Sequence, residues 1–329
     1  MNNITFDEVV SFLAEKNDFL ILCHTNPDED TLGSACALFH ALKTLGKRAS
    51  LLCDMPISRR SSAFVVQNDF VPFEEFDLAR YEGSTVVSVD VASSNMLGLL
   101  KIPFTDRVDL KIDHHAVGED FAKYNYTDAN SGACGMILYR ILSALGVMTE
   151  QIASLLYRAI SADTGGFRYS NTTAETHRIA AALIDAGADG AAVSEALFET
   201  KSKSDFAALQ LGLSKMRYLC GGLVSLISIS NADKETFGVS DRDLGELPSI
   251  ARQPEGVLLG LILKQTDGDG CRFKLSTRSR EGFDSAALCA VFGGGGHIRA
   301  AGATIFADSI GEAEKKLLEV VYPMIGDLT

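Results

Sequence analysis

The sequence is short of positive charge and of long apolar runs. Lys and Arg total 30 against 43 Asp and Glu, a formal net charge of -13. A surface of that sign repels long nucleic acid, which excludes a broad duplex-binding face. A small polyanion can still bind where metal ions or a local Arg/Lys cluster reverse the sign. No segment approaches the roughly 18 apolar residues of a membrane span, so no membrane partner is expected. The opening MNNITFDEVV carries acids and no apolar core, unlike a signal peptide. The 7 cysteines are odd in number and form no C-x-x-C pair, and several, such as Cys23 and Cys53, lie in apolar runs. They read as buried free thiols in a reducing compartment, and the chain as cytoplasmic. Internal repeats, low-complexity tracts, a Walker A loop, a dinucleotide fingerprint and a serine-hydrolase elbow are also missing.

What is present is a well-packed α/β chain. Its 329 residues are too many for one ordinary core and suit two domains, and the hydrophobic fraction is 47%. Buried strands are expected over 18–24, 49–53, 84–90 and 108–113. Helices are expected over 31–45, with Gly46 past its end, and over 135–145 and 151–162. This alternation implies βαβ units and a mainly parallel sheet flanked by helices. A helix-rich stretch over 174–219, without a strand candidate, carries the linker. Strands over 223–230, 257–264, 271–279 and 303–306 and helices over 285–292 and 310–322 then predict a smaller α/β domain with a mixed sheet. Asp267-Gly-Asp-Gly270 is a hairpin signal within it. The expected domains are 1–190, a linker over 191–220, and 221–329, with the boundary near residue 200.

The acids fall where strands end. The first strand runs into His24-Thr-Asn-Pro-Asp28-Glu-Asp30, the third ends at Asp90, and the fourth at Asp113-His114-His115. The helix ending near Ala162 leads into Asp163-Thr-Gly-Gly. Ligands of open α/β sheets bind outside the carboxyl ends of the strands. Each piece alone has an ordinary reading: Asn26-Pro-Asp28 as a turn and helix N-cap, Asp90 as a strand-end turn, Asp163-Thr-Gly as a loop cap. Two adjacent imidazoles after an acid at a strand end have little structural use. Asp28, Asp30, Asp90 and Asp163 together bring four negative charges to one edge, which two divalent cations would offset. His24 and His114 would add neutral nitrogen ligands, and Asp90 could bridge both ions. Oxygen and imidazole without thiolate favour Mn²⁺ or Mg²⁺, with Fe²⁺, Co²⁺ or Zn²⁺ as alternatives. Two ions about 3.5–4 Å apart can hold a bridging hydroxide for in-line displacement at phosphorus.

The order His24-x-Asn-Pro-Asp28-x-Asp30, Asp90, Asp113-His114-His115 and Asp163-Thr-Gly is similar to the DHH phosphoesterase superfamily. Arg278-Ser279 and Gly293-Gly-Gly-Gly-His297-Ile-Arg-Ala-Ala-Gly302 resemble the DHH-associated substrate-binding domain of its first subfamily. The resemblance spans nearly the whole chain and points to the stand-alone nano-RNase (oligoribonuclease) and pAp phosphatase enzymes. It implies a phosphoric ester hydrolase that takes short RNA or DNA oligonucleotides to mononucleotides, removes the 3′-phosphate of pAp, or does both. The runner-up is a phosphodiesterase for cyclic dinucleotides or their linear products. A catalytically silent nucleotide sensor ranks below both.

The resemblance also implies roles. His24, Asp28 and Asp90 would hold one ion, and Asp30, Asp90, His114 and Asp163 the other, most readily Mn²⁺, with Mg²⁺ or Co²⁺ as alternatives. Asp113 would orient an imidazole and His115 would meet the phosphate. Arg278, Ser279, Gly294, Gly295, Gly296 and His297 would bind substrate across a cleft between the domains. Glu29 departs from the family, which has Gly between the two motif acids. Lys274, Ser276 and Arg278 should share one strand face. Gly33-Ser34 could serve phosphate or packing, and Arg168 substrate or an ion pair. His40 reads as structural and His177 as surface. A homodimer is expected only from base rates.

Overall fold

A computed structural model describes residues 2–54, 57, 69–104, 106–266 and 270–326. Two units, Met1–Thr200 and Lys201–Thr329, are each built around cores of their own.

Among the described residues the first unit carries seven strands: β1 (Asn2–Asn3), β2 (Asp18–Leu22), β3 (Arg48–Leu52), β4 (Phe70–Val71), β5 (Thr85–Val89), β6 (Leu110–Asp113) and β7 (Tyr124–Thr127). All pair in parallel in the order β1-β7-β6-β5-β2-β3-β4. Its helices are α1 (Phe6–Glu15), α2 (Glu29–Thr44), α3 (Lys101–Phe104), α4 (Cys134–Ala144), α5 (Glu150–Asp163), α6 (Ala174–Asp185) and α7 (Gly190–Ser194). The apolar run of β2 explains the layering. Phe19 and Ile21 point into a core with α2, α4 and α5, while Leu20 and Leu22 point into a second core on the opposite face. Each such side chain contributes about 1.5–3 kcal/mol by leaving water, which fixes the strand centrally. From β2 the chain winds outward to β3 and β4 on one side, and β5, β6 and β7 fill the other. The switch point therefore lies between β2 and β5, and in open α/β sheets ligands bind at the carboxyl ends beside such a point.

The second unit holds α8 (Lys203–Lys215), β8 (Met216–Leu219), β9 (Val224–Ile229), α9 (Asn231–Phe237), α10 (Leu247–Arg252), β10 (Leu259–Gln265), β11 (Arg272–Ser279), α11 (Ser285–Ala290), β12 (Gly295–His297), β13 (Ala300–Phe306) and α12 (Ile310–Gly326). Its sheet is mixed, in the order β12-β13-β11-β10-β9-β8, with β9 and β10 parallel and the other pairs antiparallel.

Several expectations need correction. The stretch to Leu219 does contain a strand, β8, whose Arg217 and Tyr218 are exposed on the sheet edge. An edge strand needs little apolar content, so its signal merges into the preceding helix. Strands β1, β4 and β7 were not expected; β7 reads Tyr-Asn-Tyr-Thr, whose buried Asn125 hides the apolar pattern while bonding the turn at Ala122. The helix expected to reach Phe292 ends at Ala290, and the glycines after it enter an edge strand. Cys271 is exposed and Cys220 half-buried, while the other five cysteines are buried as expected. The hairpin signal at Asp267 lies outside the described residues, although β10 and β11 on either side pair antiparallel.

Candidate metal centre

The turn after β2 is held by its own acids. Asp28 is the N-cap of α2, and its Oδ1 accepts from the backbone N–H groups of Asp30 and Thr31, both at 3.0 Å. Asn26 has φ 51° and Asp90 has φ 61°, a left-handed backbone that costs ordinary side chains energy and that Asn and Asp tolerate best. After α5 the chain again turns left-handed at Gly165, Gly166 and Phe167. Gly165, at φ 59°, takes a backbone that side chains rarely adopt, which favours glycine in that tight turn.

Asp30, 2% exposed, is anchored by a device the sequence did not reveal. The N-terminus of α4 points at it: Cys134 N donates to Oδ2 at 2.7 Å and Gly135 N to Oδ1 at 3.0 Å. A helix N-terminus favours a carboxylate there. Ser34 also donates to Asp30 Oδ1, at 3.1 Å. Gly33 serves packing, since a Cβ on it would stand 2.6 Å from the Leu155 carbonyl of α5. Asp90, also 2% exposed, accepts from Thr31 Oγ1 at 2.6 Å through Oδ2, and its buried Oδ1 accepts no hydrogen bond among the described residues.

Both candidate ligand histidines are turned the same way. His24 Nδ1 lies 2.8 Å from the Thr25 carbonyl, and His114 Nδ1 lies 3.2 Å from the Ser131 carbonyl. Donation from Nδ1 leaves the Nε2 lone pair free to bind a metal. That atom of His24 is 3.8 Å from Asp28 Oδ1 and 4.0 Å from Asp90 Oδ2. In His114 it is 3.7 Å from Asp30, 3.4 Å from Asp90 Oδ1 and 3.6 Å from Asp163. Three groups of ligand-competent atoms result, each within 4.8 Å: His24-Asp28-Asp90, Asp30-His114-Asp163 and Asp90-His114-His115. Asp90 belongs to two of them. The orphaned Asp90 oxygen, the crowded carboxylates and the two presented Nε2 atoms all fit divalent cations.

The electrostatics agree. Burial, reinforced by the neighbouring carboxylates, holds the Asp30 and Asp90 carboxyl groups well above the usual range. Asp163 is pushed up by the same burial, partly opposed by His114. Asp113 behaves oppositely. Burial works against its charge, but the hydrogen bond from His115 and the nearby Lys111 hold it below the usual range. Its Oδ1 lies 2.7 Å from His115 Nδ1, and that bond raises the imidazole above its ordinary value.

Lys111 was missed in the sequence. It sits 1% exposed in the middle of β6, with Nζ 3.2 Å from Asp113 Oδ2 and 2.9 Å from the Glu119 carbonyl. A lysine inside an apolar strand, two residues before an acid, was the available signal, since buried lysines are paired. Arg158 is a second buried cation: in α5, 2% exposed, its Nε bonds Glu29 at 2.6 Å.

The second-unit candidates lie on β11, β12 and the turn before β12. Arg278 shares the expected face with Lys274 and Ser276, the intervening Leu275 and Thr277 being buried. Arg278 also donates to the Thr277 carbonyl. Gly295 and Gly296 pair with Gly302 and Ala301, and His297 with Ala300. A Cβ on Gly294 would meet the Gly302 carbonyl at 2.2 Å. Ser279 is placed differently from expectation. It is 4% exposed and donates its hydroxyl toward the Phe283 and Ile298 carbonyls, so it ties the 280–298 loop to β11. Arg168 donates to the Gly165 carbonyl and lies over the Phe198 ring, bracing the turn after Asp163. His40 Nε2 hydrogen-bonds Gln151 at 3.1 Å and lies 3.4 Å from Asp69 Oδ2 within the scaffold, and His177 is exposed and stacks on Phe167.

Comparison with known proteins adds to this geometry. Residues 18–160 match the DHH family, N-terminal domain. The chain is 31% identical over 314 residues to the bifunctional oligoribonuclease and PAP phosphatase NrnA of Thermus thermophilus, covering 94% of this chain and 90% of that protein. It is 24% identical to the protein of the same name from Bacillus subtilis, covering 95% and 96%. The crystal structure of an exopolyphosphatase-related protein from Bacteroides fragilis superposes with a TM-score of 0.88 at 20% identity, over 98% of this chain and 97% of that one, a likeness of fold.

Proposed function

This chain belongs to the DHH family and is a metal-dependent hydrolase of phosphoester bonds, and from that premise we propose that it degrades short oligonucleotides to mononucleotides and removes the 3′-phosphate of pAp, with Mn²⁺ as its ion. The observation that carries the reading is the pair of adjoining ligand groups, His24-Asp28-Asp90 and Asp30-His114-Asp163, bridged by contacts of Asp90 with both imidazoles. In the proposal the first group holds one ion and the second, with Asp90, holds the other. Bound cations supply the charge that offsets phosphoryl oxygens and activates water. Asp113 fixes the His115 ring through Nδ1, so Nε2 of His115 is the atom available to a phosphate oxygen or leaving group. Lys111 keeps Asp113 ionised for that task.

Substrate binding is assigned to Arg278, the exposed backbone at Gly295 and Gly296, and His297, with Gly294, whose own N–H donates to the Cys289 carbonyl at 2.9 Å, allowing the close approach to Gly302 that shapes this backbone. Exposed glycine backbone beside an imidazole suits a phosphate. This concentrates positive charge locally in a chain of net charge -13, which favours a small nucleotide over a long duplex. The relatives named as oligoribonuclease and PAP phosphatase support the same substrate class. No helix among the described residues is long and apolar enough to cross a membrane, and the free cysteines support a cytoplasmic setting.

The test compares pAp, RNA of two to five nucleotides and cyclic di-AMP, with and without Mn²⁺. Mn²⁺-dependent release of phosphate and mononucleotide from the first two is expected. Cleavage of the cyclic compound alone would replace the proposal with a cyclic-dinucleotide phosphodiesterase.

A further inference from the structure

We infer that Glu29 and Arg158 form a charge-neutral brace that sets the spacing between the Asp28–Asp30 turn and Asp163, and that Glu29 is a positioning residue, not a ligand. The inference rests on the proposed roles of Asp28, Asp30 and Asp163 as metal ligands.

Glu29 is the first residue of α2, flanked on both sides by acids of the site. Its side chain is 17% exposed, and Oε2 accepts from Arg158 Nε at 2.6 Å. It appears in none of the three groups of ligand-competent atoms among the described residues. Arg158 stands five residues before Asp163 on α5, about 7.5 Å along the axis by helical rise. The ion pair therefore joins the ligand-bearing start of one helix to the ligand-bearing end of another. The joint has little room to slide. A Cβ on Gly33 would meet the Leu155 carbonyl at 2.6 Å and Ala159 Cβ at 3.0 Å, and one on Gly135 would meet Ala159 Cβ at 2.8 Å. The residues around Arg158 are thus pressed between α2 and α4, and a charged pair buried there has a defined geometry. Because the two charges cancel, the pair leaves unchanged the negative charge that the ions must offset.

The test titrates the metal-free full-length protein with Mn²⁺ by calorimetry and measures kcat and KM on pAp for wild type, Glu29→Gln, Arg158→Gln and the double variant. Glu29→Gln removes a negative charge beside the ligands and should weaken Mn²⁺ binding about tenfold. Arg158→Gln removes a positive one and should tighten it by a similar factor. The double variant should return to within about threefold of wild-type affinity. All three should lose about tenfold in kcat with KM nearly unchanged, because spacing between ligands acts on the reacting geometry. Glu29→Asp keeps both charges and shortens the brace, and is the fallback should a Gln variant fail to fold. It should keep Mn²⁺ affinity and still lose kcat. Loss of one bound ion in Glu29→Gln would make Glu29 a ligand and overturn the inference, as would wild-type kcat in the double variant or, where that fails to fold, in Glu29→Asp. Wild type that binds no Mn²⁺ would instead overturn the metal-site reading on which the inference stands.

Discussion

Asp30, Asp90 and Asp113 are almost sealed from solvent in the first unit, whereas Gly295, Gly296 and His297 in the second are exposed. The acids are held by a helix N-terminus, a threonine hydroxyl and a buried lysine. The glycines are held by an edge-strand ladder and by close backbone approach. The contrast fits what each is proposed to bind. Cations need oxygen atoms fixed in advance despite mutual repulsion, so the scaffold must oppose that repulsion. A nucleotide phosphate needs accessible backbone and side chains, which the exposure of Gly295, Gly296 and His297 offers.

The contrast is broken most severely at Asp90. Asp90→Ala should lower kcat on pAp by about 10³-fold or more while circular dichroism stays native, because both proposed ion sites lose a ligand. Retention of more than about a tenth of the wild-type rate would remove Asp90 from the shared role. Lys111→Met comes next. It leaves Asp113 charged and buried without its cation, which should cost about 3 kcal/mol in urea unfolding. It should also lower kcat, since Asp113, which holds the His115 ring, loses the ammonium that anchors it. Unchanged urea stability would mean that water replaces the ammonium.

Metal removal sharpens the same point through pH. In the metal-free fold, Asp30 and Asp90 bind protons more tightly than in the unfolded chain. Their contribution to stability is complete below the ordinary carboxyl value and is lost as pH rises through the raised folded values. Asp113, held low, works in the opposite sense, but its contribution is complete above the ordinary carboxyl value. The Tm of EDTA-treated protein should therefore fall as pH climbs from about 4 toward neutral, and Mn²⁺ should raise Tm more at neutral pH than in acid. A metal-free Tm that rises over that interval would contradict the repulsion. The mildest effect is expected in the second unit. Arg278→Ala should raise KM for a dinucleotide about tenfold, the loss of one charged contact, and leave a generic phosphate ester nearly untouched. Equal changes on both substrates would count against a substrate-binding role.

The parallel sheet was legible because its central strands are continuous apolar runs, and the acids were legible because they stand where those runs stop. What supports the acids was not. Asp30 depends on backbone N–H groups at Cys134 and Gly135, more than a hundred residues away, and backbone groups leave no mark in sequence. Arg158 has the spacing of an ordinary helix residue, so its burial follows only from how α2 and α5 pack. Strand β12 is written in glycine and histidine, which have low strand preference, and exists because β13 offers it an edge. Ser279 was expected at the substrate from the family resemblance of Arg278-Ser279, yet strand alternation turns its side chain inward.

The left-handed backbone at Asp90 has a consequence for how this gene can drift. Besides Asp, the residues that accept that backbone most readily are Asn and Gly, and the genetic code puts both one base change away from an Asp codon. Either change would spare the turn while withdrawing the carboxylate. Given the proposed role of Asp90, these two single-base lesions would yield a chain that keeps its fold yet no longer hydrolyses its substrate, so a duplicated copy could reach the state of a non-catalytic relative in one mutational step.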